Sequence, residues 1–182
     1  MTTRILALVG SLRTGSYNRQ LAEAAAKHAP EGTDVEIFEG LGEVPFYDED
    51  LDRPGAVPGP ARALRDAVGR ADALLLVTPE YNGSLTAVLK NAIDWASRPH
   101  LSGAIVDKPV AAVGTSTGRY GGVWALDDTR KTARIAGARV IDDLVDLAVP
   151  AAAERFAATH PADDDDVAIV LFDILVALAT AV

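Results

Sequence analysis

The sequence predicts an α/β protein, a doubly wound, three-layer arrangement in which five parallel strands alternate with five helices. Two observations carry this. The unbroken apolar runs Ile5 to Val9, Ala73 to Val77 and Val110 to Val113 have the composition of strands covered on both faces. Between such runs, apolar residues return at helical spacing, as at Leu85, Val88, Leu89, Ala92, Ile93 and Ala96. With 182 residues the chain is expected to form one domain over 1–182, large enough to bury a core without staples.

The first strand feeds Gly10 to Asn18, after which Leu21, Ala22, Ala25, Ala26 and Ala29 mark a helix ended by Pro30 and Gly32. Val35, Ile37 and Phe38 give a shorter second strand. Residues 40–60, rich in Gly, Pro and Asp, are too many for a simple connection and read as a functional or interface loop. A helix over Arg62 to Arg70 follows, then the third strand, stopped by Thr78-Pro79. Glu80 to Ser84 is turn and cap chemistry ahead of a helix from Leu85. After the fourth strand come a loop of glycines and hydroxyls, Gly114 to Gly122, and a helix from about Val123 to Ala136. Arg139 to Val149 supplies the last strand region. The acidic run Asp163 to Asp166 precedes a helix over Val167 to Ala181; carboxylates favour a helix N-terminus, so capping accounts for the run better than a metal does.

Composition narrows the function. The absence of cysteine excludes disulfides, thiolate catalysis and Cys-ligated metals. A net charge of -9 argues against a nucleic-acid partner. The richest apolar window, Val167 to Val182, is too short for a bilayer and carries Asp173, so no membrane partner is expected. Ser11-Leu12-Arg13 interrupts the N-terminal apolar block too early for a signal peptide, so a cytoplasmic protein is expected.

The loops choose between the two common doubly wound strand orders. A dinucleotide-binding sheet calls for G-x-G-x-x-G after its first strand, whereas Gly10 is followed by Ser11 and Leu12, with Gly15 the only other glycine nearby. The order 2-1-3-4-5 of flavodoxin-like sheets is therefore expected. In such sheets ligands bind at the carboxyl ends of the strands. There the first loop gathers the hydroxyls of Ser11, Thr14 and Ser16, the Asn18 amide and the Arg13 guanidinium, a donor set suited to a phosphate dianion. Ser16 taken singly reads equally well as a helix cap. No Walker lysine follows, so a nucleoside triphosphate is not expected. Tyr81 and Asn82 on the third-strand loop suggest a flat ligand with a polar edge.

Two motifs, Gly10-Ser11-Leu12-Arg13-x-x-Ser16-x-Asn18 and Pro79-Glu80-Tyr81-Asn82 leading into Leu89-Lys90-Asn91-Ala92-Ile93-Asp94-Trp95, resemble the NADPH-dependent FMN reductase family. Val44 to Leu51 and Gly121-Gly122 are similar to that family as well, and the likeness runs from Ile5 to Ile141. The resemblance implies a flavodoxin-like fold with FMN as cofactor and NADPH or NADH as co-substrate. It implies that Ser11, Arg13, Ser16 and Asn18 hold the phosphate, that Pro79, Glu80, Tyr81, Asn82 and Gly83 meet the isoalloxazine, and that Thr115, Ser116, Thr117 and Gly118 line the other side. One departure stands out: Val123-Trp124 follows the paired glycines where the family commonly has a variable residue and then an arginine. That tryptophan reads either as packing at a subunit contact or as a wall of the nicotinamide pocket, and packing is favoured.

Hydride transfer at a flavin needs no protein acid, base or nucleophile, so no catalytic side chain and no metal are expected. Accordingly His28, His100 and His160 read as surface residues, Lys90 and Asp94 as a helix surface pair, and Glu80 as a subunit contact or ion pair. The implied activity passes electrons from the nicotinamide to a small-molecule acceptor: a quinone, azo dye, metal oxyanion or free flavin. A flavodoxin-type carrier is the alternative. A homodimer, or a dimer of dimers, is expected to form through the Pro45 to Leu51 loop and the helix after Gly83.

Overall fold

The computed structural model describes residues 2–141 and 147–182. Its strands are β1 (Thr3–Val9), β2 (Thr33–Ile37), β3 (Ala73–Thr78), β4 (Pro109–Thr115), β5 (Arg139–Val140) and β6 (Ala148–Val149). The helices are α1 (Tyr17–Lys27), α2 (Gly59–Arg70), α3 (Ala87–Ala96), α4 (Val123–Ile135), α5 (Ala152–Arg155) and α6 (Asp165–Thr180). The order β2-β1-β3-β4-β5 is the expected one, and each pairing is parallel. Instead of one last strand across Arg139 to Val149, β5 pairs with the start of β4 and β6 with its end. Residues 142–146 of that expected strand lie outside the described residues.

Alternation along the strands splits the core in two. Ile5, Ala7, Leu75, Val77 and Val113 pack with Leu21 and Ala25 of α1 and with Leu171 and Leu175 of α6. Leu6, Leu8, Leu74, Leu76 and Val110 pack on the other face with Leu64 of α2 and with Leu89, Ile93 and Trp95 of α3. Burying β1, β3 and β4 on both faces is what their continuous apolar sequence encodes.

The helices depart from the sequence reading in several places. The helix expected from Arg62 begins at Gly59, because Pro60 fits the first turn, where its missing N–H has no partner to lose. The helix expected from Leu85 begins at Ala87, since Ser84 belongs to the preceding turn. The short helix α5 was not anticipated. The acidic run does cap its helix: the Asp164 side chain accepts from the N–H of Val167, and Asp165 and Asp166 lie in the first turn of α6. The Arg155 guanidinium, bound to Asp164 at 2.7 Å, holds that carboxyl below its ordinary range.

The long loop between β2 and α2 is anchored by buried polar side chains. Asn91 accepts from the Tyr47 N–H at 2.8 Å and donates to the carbonyls of Val44 and Pro45, while the Trp95 indole donates to Pro45 at 2.7 Å. Arg65 forms a two-pronged pair with Asp52, both bonds 2.7 Å, and donates through Nε to the Trp95 carbonyl. That guanidinium depresses the Asp52 pKa, and burial raises that of Tyr47, whose hydroxyl donates to Asp52.

Candidate functional site

The carboxyl ends of the central strands converge on one edge of the sheet. Val9 is in register with Val77, Val77 with Val113, and Gly114 with Ala148. Gly10 continues this alignment by donating to the Val77 carbonyl at 2.7 Å, and a Cβ at Gly10 would stand 2.6 Å from Thr86 Oγ1. The hydroxyl of Thr86 donates to the Gly10 carbonyl, which locks the loop after β1 to the start of α3. A crevice of about 220 Å³ opens at this edge.

One wall of the crevice is the loop entering α1. Ser11, Arg13, Ser16 and Asn18 all line it, as expected, together with Tyr17, which the sequence reading missed. Its signal was available: Tyr17 lies four residues after Arg13, and the guanidinium stands 5.3 Å from the centre of the tyrosine ring. Ser16 caps α1 by accepting from the Arg19 N–H at 3.4 Å, which leaves its own proton for another acceptor. The Tyr17 and Asn18 N–H groups in the first turn have no acceptor among the described residues. The side chain of Asn18 works differently from the anion donor expected: its amide donates to the Thr115 carbonyl at 2.9 Å and accepts from the Thr115 N–H at 3.0 Å. It ties α1 to β4. Arg13 has no carboxylate partner among the described residues and donates only to the Thr14 carbonyl.

Pro79, Glu80 and Tyr81 form the second wall. Beyond them Tyr81 and Ser84 exchange two backbone hydrogen bonds, with Asn82 at φ 54° and Gly83 at φ 73° between them. Two consecutive left-handed residues make the tight hairpin turn that an Asn-Gly pair favours. Asn82 and Gly83 therefore sit at the turn tip, and neither is among the residues lining the crevice. The carboxylate of Glu80, expected in a subunit contact or an ion pair, accepts from the Ala125 N–H at 3.1 Å and caps α4. Ser84 donates to Asp128.

Thr115, Ser116 and Thr117 supply the third wall. The Thr115 hydroxyl donates to Val149 at 2.9 Å, and that of Ser116 accepts from the Gly118 N–H. Gly118 shapes the loop rather than lining the crevice, its carbonyl accepting from Gly121 and Ala151. Trp124 packs edge-on against Tyr120 with half its surface exposed. The histidines lie outside the crevice. His100 is exposed, whereas His28 bonds the Ala162 carbonyl and His160 caps the turn at Pro161–Asp163. Lys90 and Asp94 pair at 2.7 Å on the surface of α3. No cluster that could hold a metal occurs among the described residues.

This donor set fits a flavin mononucleotide: free N–H groups at a helix N-terminus, hydroxyls and one arginine for a phosphate, beside two polar walls for a ring. Comparison with known proteins agrees, since the model of the NADPH-dependent FMN reductases matches residues 3–152. The chain belongs to the NADPH-dependent FMN reductase family. It is therefore an oxidoreductase that uses FMN and draws electrons from NAD(P)H.

Several relatives of the reductase are similar over most of their length. A 2-hydroxy-1,4-benzoquinone reductase from a Burkholderia species is 46% identical over 130 residues, 71% of this chain and 69% of the relative. An NAD(P)H-dependent FMN reductase, PA1204 of Pseudomonas aeruginosa, is 43% identical over 129 residues, 71% of this chain and 68% of the relative. Among solved structures, the flavoenzyme NAD(P)H:(acceptor) oxidoreductase FerB from Paracoccus denitrificans superposes with a TM-score of 0.86 at 30% identity, covering 98% of this chain and 96% of its own. No described helix of the reductase is long and apolar enough to cross a membrane.

Proposed function

We propose that the crevice seats FMN with its phosphate at the mouth of α1 and its ring between Pro79–Tyr81 and Thr115–Thr117, and that the acceptor is a quinone. The carrying observation is the convergence of three donor-rich loops on one crevice in which Arg13 and the α1 N-terminus keep open hydrogen-bonding capacity. The Tyr17 and Asn18 N–H groups, the Ser11 and Ser16 hydroxyls and the Arg13 guanidinium hold the phosphate, with Tyr17 as a shelf under the arginine. Asn18, through its amide, fixes the distance between this cradle and the β4 wall. FMN held by these residues would supply two-electron chemistry, carrying the nicotinamide's hydride equivalent to the quinone, which with one proton from solvent would leave as the hydroquinone. Relatives named as quinone reductases support that acceptor class.

Tyr81 and Leu12, both largely exposed, give the mouth an apolar rim suited to a planar acceptor. Exposed Phe46 on the anchored loop and exposed Ile135 beside a groove of about 640 Å³ between α3 and α4 support a homodimer through that side of the molecule. The donor, a cytoplasmic metabolite, supports a cytoplasmic location. The test is spectroscopic. The purified protein should be yellow, bleach anaerobically with NADPH and regain colour on addition of a benzoquinone; yellow protein that NADPH does not bleach would make it an electron carrier.

A further inference from the structure

We propose that Arg119, Tyr120 and Trp124 form a subsite for the adenosine-phosphate half of the nicotinamide coenzyme. This rests on the reading of the crevice as a flavin site. The Tyr120 and Trp124 rings meet at 5.0 Å and 61°, yet 48% of one residue and 50% of the other are exposed. Neither belongs to either core cluster. The Arg119 guanidinium lies 4.4 Å from the Tyr120 ring centre, bonds its hydroxyl, and has no carboxylate partner among the described residues.

The backbone fixes this group beside the crevice. Gly121 and Gly122 are both left-handed, at φ 66° and 92°. A Cβ on Gly121 would stand 2.5 Å from the Ala148 carbonyl, so the loop sits directly on the strand that closes the sheet. A Cβ on Gly122 would lie 3.7 Å from that of Glu80 and 3.9 Å from that of Ser116, two crevice residues. Tyr120 and Trp124 thus flank a turn that touches the crevice wall, and the first turn of α4 holds Trp124 in place.

The chemistry selects the ligand. An exposed aromatic pair offers stacking surface to any planar base, and a stacked guanidinium is a fixed cation for a phosphate. On a protein of net charge -9, an arginine without an acidic partner is an anion site by contrast with its surroundings. The coenzyme carries both a purine and phosphates, remote from the nicotinamide that reacts; a quinone carries neither. The subsite therefore favours the donor over the acceptor, which lets one open face take the two substrates in turn.

The experiment uses FMN-loaded protein and adenosine diphosphate ribose, which lacks the nicotinamide. Calorimetry should show saturable binding by the wild type, weakened about tenfold by Trp124→Ala, Tyr120→Ala or Arg119→Gln and retained by Trp124→Phe, the loss expected for one stacked base. In steady state, the KM for NADPH should rise by the same factor relative to the KM for N-benzyl-1,4-dihydronicotinamide, a donor without the adenosine half. Unchanged adenosine diphosphate ribose affinity in the alanine variants, or equal changes in KM for both donors, would overturn the subsite. So would dissociation of a dimer by Trp124→Ala with ligand affinity intact, which would assign the aromatic pair to a second copy. Binding through these residues in a protein that neither donor bleaches would keep the subsite and remove the redox reading instead.

Discussion

In the loop between β1 and α1, the Arg13 guanidinium, the Ser11 hydroxyl and the first-turn N–H groups of α1 point at open space; in the loop between β2 and α2, the conspicuous polar groups are matched. Both loops carry family-like motifs, yet the same kinds of side chain serve opposite ends. Asn91 and Trp95 complete backbone bonds of the 44–47 segment, and Arg65 stacks on Trp95 while pairing with Asp52. Arg13 also stacks on an aromatic ring, but no carboxylate among the described residues pairs with it. In these two loops the same guanidinium-over-ring contact is a strut where Asp52 completes it and keeps open donors where no described acid does.

Substitutions can break this contrast. Trp95→Ala empties the most voluminous fully buried position and removes an indole hydrogen bond, so it should cost about 4 kcal/mol in urea unfolding while leaving the preference for FMN over riboflavin intact. Asp52→Asn leaves a mostly buried guanidinium without its charge partner and should cost about 2 kcal/mol, again without altering that preference. The pH dependence has a definite sign. Because Arg65 holds the Asp52 pKa below its unfolded value, the stabilisation is complete above the ordinary carboxylate range and disappears as pH falls through the depressed folded value. The stability gap between wild type and Asp52→Asn should therefore close on acidification, a result read from unfolding curves at a series of pH values. Ser16→Ala sharpens the contrast from the other side, since Ser16 is both a cap and a crevice residue. It should lower stability by about 1 kcal/mol and also weaken FMN, whereas a pure cap would affect stability alone.

Much of this was legible in the chain because β1, β3 and β4 are covered on both faces and carry unbroken apolar runs, with polar residues only at their ends. The Asn82-Gly83 turn and the Ser16 cap were legible for a different reason: their chemistry is local. The roles of Asn18 and Glu80 were not, since their partners Thr115 and Ala125 lie 97 and 45 residues away and only the folded sheet brings them together. Gly59-Pro60 misled because the same dipeptide that ends a segment can begin a helix. The Tyr120–Trp124 contact was not legible either, since only the folded turn at Gly121-Gly122 brings the two rings together.

The most direct test of the central claim is a calorimetric comparison of FMN with riboflavin, which differ by the phosphate alone, on wild type and Arg13→Ala. Charge-assisted phosphate binding at the mouth of α1 predicts that wild type strongly prefers FMN and that the variant loses about tenfold or more of that preference, with riboflavin affinity little changed. Equal affinity for the two ligands in the wild type, or an undiminished preference in Arg13→Ala, would contradict the account.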